Sequence, residues 1–167
     1  MGSMRDSIFD NVKFAAADLL CLLSMGKLGR CRVLEFEVLN CVQMVPLIRQ
    51  RAVEFASAMP FTQEELDDVA LAVGEAGTNA CKYGGSESGC TVKIRLERRK
   101  DSLHISIRDS GCGFDPDSIC PPVEGELREG GRGIIFMKAA MDDVRFLCHP
   151  SGTHVEMIKH IRKSTAS

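Results

Sequence analysis

The sequence has little of several features that mark specialised classes of protein. It contains no tryptophan, one tyrosine and eight phenylalanines, so aromatic residues make up only 5% of its 167 residues. Neither sign of charge dominates, because 21 Lys and Arg oppose 23 Asp and Glu for a net charge of −2. Nucleic-acid-binding domains usually show a clear basic excess, so we expect no direct binding to nucleic acid. A chain that is 44% hydrophobic and 26% charged fits one globular domain with its own core.

Long apolar runs and paired metal-binding cysteines are also missing. The most apolar early stretch, residues 15–25, is shorter than the roughly 20 residues of a membrane-spanning helix, and it contains Asp18. None of the eight cysteines belongs to a C-x-x-C pair, the spacing typical of zinc and thioredoxin-like sites. The start of the chain shows no signal-peptide pattern. We therefore predict a cytoplasmic protein without a membrane segment, whose cysteines are reduced and mostly fill small apolar spaces.

Hydrophobic periodicity predicts a series of helices and strands. An apolar stripe at helical spacing predicts an amphipathic helix over residues 6–25, and the same period recurs over residues 42–59. Thr62, with Glu65 three residues later, forms a capping box that opens a third helix ending near Tyr83. The remaining predicted elements are a helix at 134–141 and, from period-two alternation, strands at 32–38, 92–97, 103–108, 144–147 and 153–161.

These elements predict the α+β fold class. We expect a two-layer α/β sandwich in which a mixed, mostly antiparallel sheet carries helices on one face. Residues 1–30 are predicted to form an N-terminal extension with one amphipathic helix, and residues 31–163 to form the functional domain. Proline and glycine are concentrated in residues 114–130, so an irregular loop is expected there.

The helix that follows Thr62 carries polar side chains on the side away from its apolar stripe. Glu75, Asn79 and Tyr83 lie one turn apart on that side. They form either a solvated surface or the wall of a pocket, and the low charge of the bordering residues favours the pocket wall. Glu and Asn four residues apart can reach one ligand, and both supply the oxygen atoms that magnesium prefers.

Asp109 ends a strand that has three aliphatic residues in its inward phase. By strand alternation its carboxylate points toward the core, where an acid without a partner is costly. Either a neighbouring donor or a ligand therefore satisfies it. Gly111 and Gly113 follow at once, and two such glycines let the backbone approach a ligand closely.

A second glycine cluster, residues 130–133, precedes the fourth predicted helix and contains Arg132. A glycine-rich loop that opens into a helix can bind phosphate, because the N–H groups at the helix start are unpaired and the dipole there is positive. The Arg132 guanidinium matches phosphate geometry. Neither the P-loop motif nor the Rossmann G-x-G-x-x-G motif is present. The predicted loop at 114–130 lies between the two glycine motifs and could fold over a bound ligand.

Together these motifs resemble the ATP-binding domain shared by DNA gyrase, heat-shock chaperones, histidine kinases and mismatch-repair ATPases. Within that group the chain resembles the anti-sigma-factor serine/threonine kinases of bacteria. The resemblance spans about residues 32–161, and its one small departure is Ile134, which stands where leucine is usual. The segments that carry it are Glu75-Ala-Gly-Thr-Asn79, Asp109-Ser-Gly-Cys-Gly113, Gly131-Arg-Gly133 and Gly152-Thr153.

The resemblance implies a role for each motif residue. Glu75 would be the catalytic base for the attacking hydroxyl, and Asn79 would bind the magnesium ion that bridges the ATP phosphates. Asp109 would accept a hydrogen bond from the adenine amino group. The other residues expected to lie against the nucleotide are Gly111, Gly113, Gly131, Arg132, Gly133 and Thr153. Residues 31–163 would then be an ATP-binding kinase domain with the histidine-kinase-like ATPase fold.

By this resemblance the chain is an ATP- and Mg²⁺-dependent serine/threonine kinase of the anti-sigma type. It would phosphorylate a small anti-anti-sigma antagonist protein, bind a sigma factor and act as a cytoplasmic homodimer. Two alternatives stay open: a non-catalytic, nucleotide-dependent protein-binding switch, and an ATPase or histidine-kinase catalytic domain separated from its sensor. The intact Glu75 argues against the first alternative. Against the second, the four histidines are scattered over later strands and turns, and none lies on a phosphoacceptor helix.

Overall fold

The computed structural model describes residues 12–14, 32–39, 41–83, 91–111, 132–149 and 152–162. Within these segments six strands form one sheet in the order β1-β2-β3-β4-β6-β5. The strands are β1 (Val12–Phe14), β2 (Val33–Leu39), β3 (Thr91–Arg98), β4 (Ser102–Asp109), β5 (Asp143–His149) and β6 (Gly152–His160). The helices are α1 (Val45–Ala56), α2 (Gln63–Tyr83) and α3 (Arg132–Ala140), with a 3-10 turn (Cys41–Met44) before α1.

The helices cover one face of the sheet. Along β2, β3, β4 and β6 alternate side chains are buried, because the pleat sends successive residues to opposite faces. Ile48 and Phe55 of α1 and Val73 of α2 are fully buried in the core that forms between the two layers. The predicted α+β sandwich with helices on one face is confirmed. Every strand pair in the described segments is antiparallel, where the sequence left a mixed sheet open.

The amphipathic helix predicted over residues 6–25 is wrong at Val12–Phe14. Val12–Phe14 form strand β1, which pairs antiparallel with β2 so that Lys13 stands opposite Glu37. Without β1, the edge of β2 would offer unpaired backbone groups. Hydrogen bonding to these groups favours a strand over the helix that the apolar period predicts. The other residues of that predicted helix lie outside the described segments. The division of the chain near residue 30 stays a prediction.

Local signals explain where the helices begin. The helix predicted from residue 42 starts as a 3-10 turn and becomes α-helical at Val45, where Pro46 is accommodated because the first turn needs no partner for its missing N–H. At the start of α2 the Thr62 N–H donates to Glu65 Oε2 at 2.8 Å, and the Glu65 N–H donates to Thr62 Oγ1 at 3.2 Å. The predicted capping box is therefore present. None of the helices described is long and apolar enough to cross a membrane.

The one cysteine whose side chain the structure describes departs from its predicted state. Cys81, near the end of α2, is disulfide-bonded, so the prediction of reduced cysteines is wrong at this position. The side chain of its partner is not among those that the structure describes. The absence of a C-x-x-C pair carried no warning, because a fold can bring together two cysteines that are distant in the chain.

Candidate functional site

Helix α2 presents two of the predicted site residues to the first turn of α3. Glu75 and Asn79 are four residues apart, so both project from the same side of α2, and both are half-buried. A β-carbon built at Gly133 would lie 2.6 Å from Glu75 Oε2 and 3.5 Å from Asn79 Nδ2. The structure thus brings Glu75, Asn79 and Gly133 into one group, which we call the α2–α3 cluster. Its position between two helices favours the pocket wall over the solvated surface.

The donors of the α2–α3 cluster suit a magnesium ion that arrives with a nucleotide. Mg²⁺ usually takes one or two protein oxygens and completes its octahedral shell with phosphate oxygens and water. Glu75 and Asn79 supply one carboxylate and one carboxamide. In the described part of the chain no group of three or more His, Cys, Asp or Glu could hold a metal ion by itself. The residues therefore fit a metal shared with phosphates, for which Asn79 is the predicted protein ligand.

The structure describes only part of the predicted phosphate-binding motif. Arg132 is the first residue of α3, and its side chain is exposed, so its guanidinium can reach an anion outside the helix. Gly133 follows it in the α2–α3 cluster. The predicted contacts at Gly113 and Gly131, and the predicted loop at 114–130, lie outside the described segments.

A second cluster forms around Asp109, which is 5% exposed at the end of β4. Its Oδ1 accepts two backbone hydrogen bonds, from the Gly111 N–H at 2.9 Å and from the Thr153 N–H at 3.1 Å. Neighbouring donors therefore account for much of the stabilisation that a buried acid needs. Because both bonds go to one oxygen, a ligand donor would approach the other oxygen, Oδ2. Three predicted residues, Asp109, Gly111 and Thr153, are brought together here.

Sequence reasoning misses how strongly this second cluster depends on Gly152. The φ angle of Gly152 is +133°, a conformation that side chains disfavour. A β-carbon there would lie 2.1 Å from the carbonyl oxygen of Asp109. Glycine therefore lets the start of β6 lie against the end of β4, which places the Thr153 N–H on the carboxylate. The sequence shows the Gly152-Thr153 pair as a motif. Only the fold shows that this pair lies against Asp109.

Lys159 is a second residue that sequence reasoning misses. Its side chain is buried, and its Nζ donates to Asp68 Oδ2 at 2.7 Å and to the Ala140 carbonyl at 2.6 Å. A buried cation is tolerated only with such partners. The strand phase carried a signal, because Lys159 shares the inward face of β6 with Val155 and Met157. Lys159 links the last residue of α3 to both α2 and the sheet.

The opposite face of the sheet carries a groove of about 500 Å³ lined by charged side chains. Arg95 contacts both Glu35 and Glu97 there. The hydrogen bond to Glu35 is the main cause that raises the pKa of Arg95, and the hydrogen bond from Arg95 is the main cause that lowers the pKa of Glu97. Burial lowers the pKa of His104 in the same groove. The described residues that line the groove include none of the predicted site residues.

Comparison with known proteins decides the family. Residues 40–159 match the family described as the histidine kinase-like ATPase domain. The chain belongs to the histidine kinase-like ATPase domain family. The matched range contains Glu75, Asn79, Asp109 and Gly133, and it runs from the residue after β2 to the second-last residue of β6. Membership of this ATPase family confirms the predicted fold.

Relatives of this histidine kinase-like ATPase domain include serine-protein kinases. The serine-protein kinase RsbW of Bacillus subtilis is 34% identical over 137 residues, which cover 77% of this chain and 85% of the relative. The serine-protein kinase RsbW of Bacillus cereus is 29% identical over 143 residues, which cover 80% of this chain and 88% of the relative. The predicted resemblance is confirmed by this similarity.

Solved structures of the same fold come from two further bacteria. The RsbU and RsbW domains of a Mycobacterium tuberculosis protein superpose with a TM-score of 0.57 at 15% identity, over 80% of this chain and 33% of that chain. The histidine kinase domain of a blue-light activated histidine kinase from Erythrobacter litoralis superposes with a TM-score of 0.51 at 17% identity. That match covers 72% of this chain and 61% of the other. At these identities the likeness concerns the ATPase fold.

Proposed function

We propose that this chain is an ATP-dependent serine/threonine-protein kinase of the anti-sigma type. The observation that carries the proposal is the α2–α3 cluster, where Glu75 and Asn79 meet the first turn of α3 at Gly133. Catalysis of phosphoryl transfer is mostly positioning and electrostatic stabilisation, so one carboxylate, one carboxamide and a phosphate-binding helix start can suffice. The relatives named as serine-protein kinases support serine as the acceptor.

In this proposal ATP extends from Asp109 to the α2–α3 cluster. Asp109 Oδ2 accepts a hydrogen bond from the adenine amino group, while the Gly111 and Thr153 N–H groups hold the carboxylate in place. Asn79 and the ATP phosphates would hold Mg²⁺, which supplies positive charge against the transferred phosphoryl group. Arg132 lies against the phosphates, together with the glycines at 113, 131 and 133.

Glu75 acts on the acceptor serine. The serine oxygen forms a bond to the γ-phosphorus, the bond from that phosphorus to the β,γ-bridging oxygen breaks, and ADP leaves with the electron pair. The Glu75 carboxylate takes the proton of the serine hydroxyl. Because Glu75 is half-buried beside α3, its carboxylate has fewer orientations to search than an exposed one would have.

We further propose the partners that the motif resemblance implies. The acceptor is a small anti-anti-sigma antagonist protein, and the unphosphorylated antagonist competes with a sigma factor for this kinase. The kinase acts as a homodimer in the cytoplasm. The nearly neutral charge of the chain supports protein partners over nucleic acid.

Replacement of Glu75 tests the kinase assignment. Glu75→Gln removes the base while it keeps the shape of the side chain, so we expect phosphotransfer from labelled ATP to an antagonist recovered by pull-down to fall about 100-fold or more. ATP affinity, measured by calorimetry, should change by less than about threefold because the adenine and phosphate contacts remain. The matched control is Glu64→Gln, an exposed position in the first turn of the same helix, which should transfer phosphate at the normal rate.

The outcomes separate the two candidate functions. Normal phosphotransfer by Glu75→Gln would overturn the base assignment. A wild-type protein that binds ATP and the antagonist but never labels it would overturn the kinase proposal in favour of a nucleotide-dependent protein-binding switch.

A further inference from the structure

Gly133 is a helical residue whose backbone does not require glycine. It is the second residue of α3, and its φ lies outside the positive range that side chains disfavour. Glycine weakens a helix relative to alanine, because it loses more conformational freedom on folding. Backbone geometry therefore gives no reason for glycine at this position.

The contact with Glu75 supplies that reason. A β-carbon on Gly133 would lie 2.6 Å from Glu75 Oε2 and 3.6 Å from the carboxyl carbon of the same residue. Asn79 Nδ2 lies 3.5 Å from the same point. The Glu75 carboxylate thus occupies the space that any side chain at Gly133 would fill, and we call this space the slot.

The slot also suits a negative charge. The first N–H groups of a helix have no partner within the helix, and the helix dipole is positive at that end. The carboxylate of Glu75 therefore stands against the end of α3 that attracts it, and the carboxamide of Asn79 borders the same slot. The start of α3 therefore favours a carboxylate at this position.

We propose that Gly133 is a positioning residue for Glu75: its missing side chain leaves the slot in which the catalytic carboxylate stands. The inference rests on the proposed role of Glu75 as the base. It adds a second task to the proposed phosphate contact. That contact would be made by the backbone N–H, which alanine keeps, whereas the atom that a side chain would meet belongs to Glu75. A displacement of about 1 Å in a catalytic group can cost about 100-fold in rate.

Gly133→Ala tests the inference. The added methyl meets the end of a flexible side chain, so the carboxylate moves and the backbone stays in place. We expect phosphotransfer to fall about 100-fold, ATP affinity to change by less than about threefold, and the melting temperature to stay the same or rise. Gly77→Ala on α2 is the matched control, because a β-carbon there would lie 3.7 Å from Ile48 Cδ1 and 3.9 Å from Val45 Cγ2. It should keep normal phosphotransfer.

A double-mutant cycle distinguishes positioning of Glu75 from direct contact with the phosphates. In a Glu75→Gln background the Gly133→Ala change should cause little further loss of activity, because the base has already been removed. A full additional loss there, or a large drop in ATP affinity, would overturn the inference and assign the methyl clash to the nucleotide.

A crystal structure of the Gly133→Ala variant gives a readout that needs no kinase activity. The inference predicts that the Glu75 carboxylate leaves its slot while α3 keeps its place on α2. A carboxylate that stays where it was would overturn the inference, even if the wild type proves to be an active kinase. A wild type without kinase activity would contradict the proposed function, and the displacement could still be measured.

Discussion

Asp109 and Glu75 are the acids of the two residue clusters, and their surroundings differ. Asp109 is buried, and two backbone N–H groups bind its Oδ1, so its carboxylate direction is rigidly set. Glu75 is half-buried, and its Oε2 stands against Gly133 at the start of a helix. These surroundings support the proposed roles, which are a rigid acceptor for the adenine amino group at Asp109 and a base for the acceptor serine at Glu75.

Asp109→Asn should weaken ATP binding by about 10- to 100-fold, which corresponds to about 1–3 kcal/mol for an unmatched buried polar group. If the carboxamide oxygen replaces Oδ1, the amide NH₂ faces the adenine amino group, donor against donor. If the amide turns around, the NH₂ faces the N–H groups of Gly111 and Thr153 instead. Calorimetric titration with ATP measures the effect, and Asp101→Asn in an exposed turn is the control. Unaltered affinity would remove the adenine role.

At the scale of single elements, α2 is the helix that organises the site. Val73 and Ala76 are fully buried on the predicted core side. Ala72, which the sequence places at the border of the polar side, is also fully buried. The helix therefore has a second covered surface beside its apolar stripe, and Glu75 and Asn79 lie half-buried next to α3. This confirms that the weakly charged polar side is not a simple solvated face.

Thr62→Ala should destabilise the protein by about 1 kcal/mol, because it removes the hydroxyl that caps the first turn of α2. The Glu65 N–H would lose its acceptor at 3.2 Å. The hydrogen bond from the Thr62 N–H to Glu65 would remain but would no longer be part of a reciprocal pair. For a chain of this size we expect the melting temperature to fall by about 2–4 °C.

The control for the capping box is Ser57→Ala, at the exposed residue that follows α1. The Ser57 hydroxyl donates to the Glu54 carbonyl at 2.8 Å, and water can replace it at this exposed position. The control should therefore lower the melting temperature less than Thr62→Ala does. Equal melting temperatures for the two variants would show that the capping box contributes nothing beyond an ordinary surface hydrogen bond.

At the scale of the whole molecule, apolar packing and, in the described segments, one buried cation attach the helix layer to the sheet. Lys159 on β6 bonds to Asp68 on α2 and to the carbonyl of Ala140, the last residue of α3. Because the other end of α3 carries Gly133 of the α2–α3 cluster, Lys159 holds α3 at the end away from the site. The charged groove on the opposite face of the sheet consists of paired surface groups, which contribute little stability each.

Lys159→Met should lower the free energy of unfolding by about 1–3 kcal/mol, because the Ala140 carbonyl would stay buried without its donor. The loss of the ammonium group should cost less at Asp68, since its side chain is 35% exposed and water can hydrogen-bond to the carboxylate. The control is Lys93→Met, whose side chain is 66% exposed and pairs with Glu37, and its effect should be below about 1 kcal/mol. Urea unfolding measures both variants. A Lys159→Met protein as stable as the control would show that the buried cation is dispensable.

The sequence by itself determined the local features of this protein. The capping box at Thr62 and the strand phase that turns Asp109 inward both follow from residues close together in the chain. Such features depend on hydrogen-bonding groups a few residues apart and on the period of apolar residues, both of which can be read directly. The order of the glycine and acidic motifs also pointed to the family.

Only the tertiary structure decided which distant residues meet. The strand at Val12–Phe14, the disulfide at Cys81 and the contact of Lys159 with Ala140 lie outside the reach of any local pattern. The two glycine contacts, Gly133 with Glu75 and Gly152 with Asp109, also lie outside the reach of any local pattern. Each depends on the mutual placement of two elements, which the packing of the whole core sets. Local periodicity carries no record of that placement, so the geometry of the site became visible only in the folded chain.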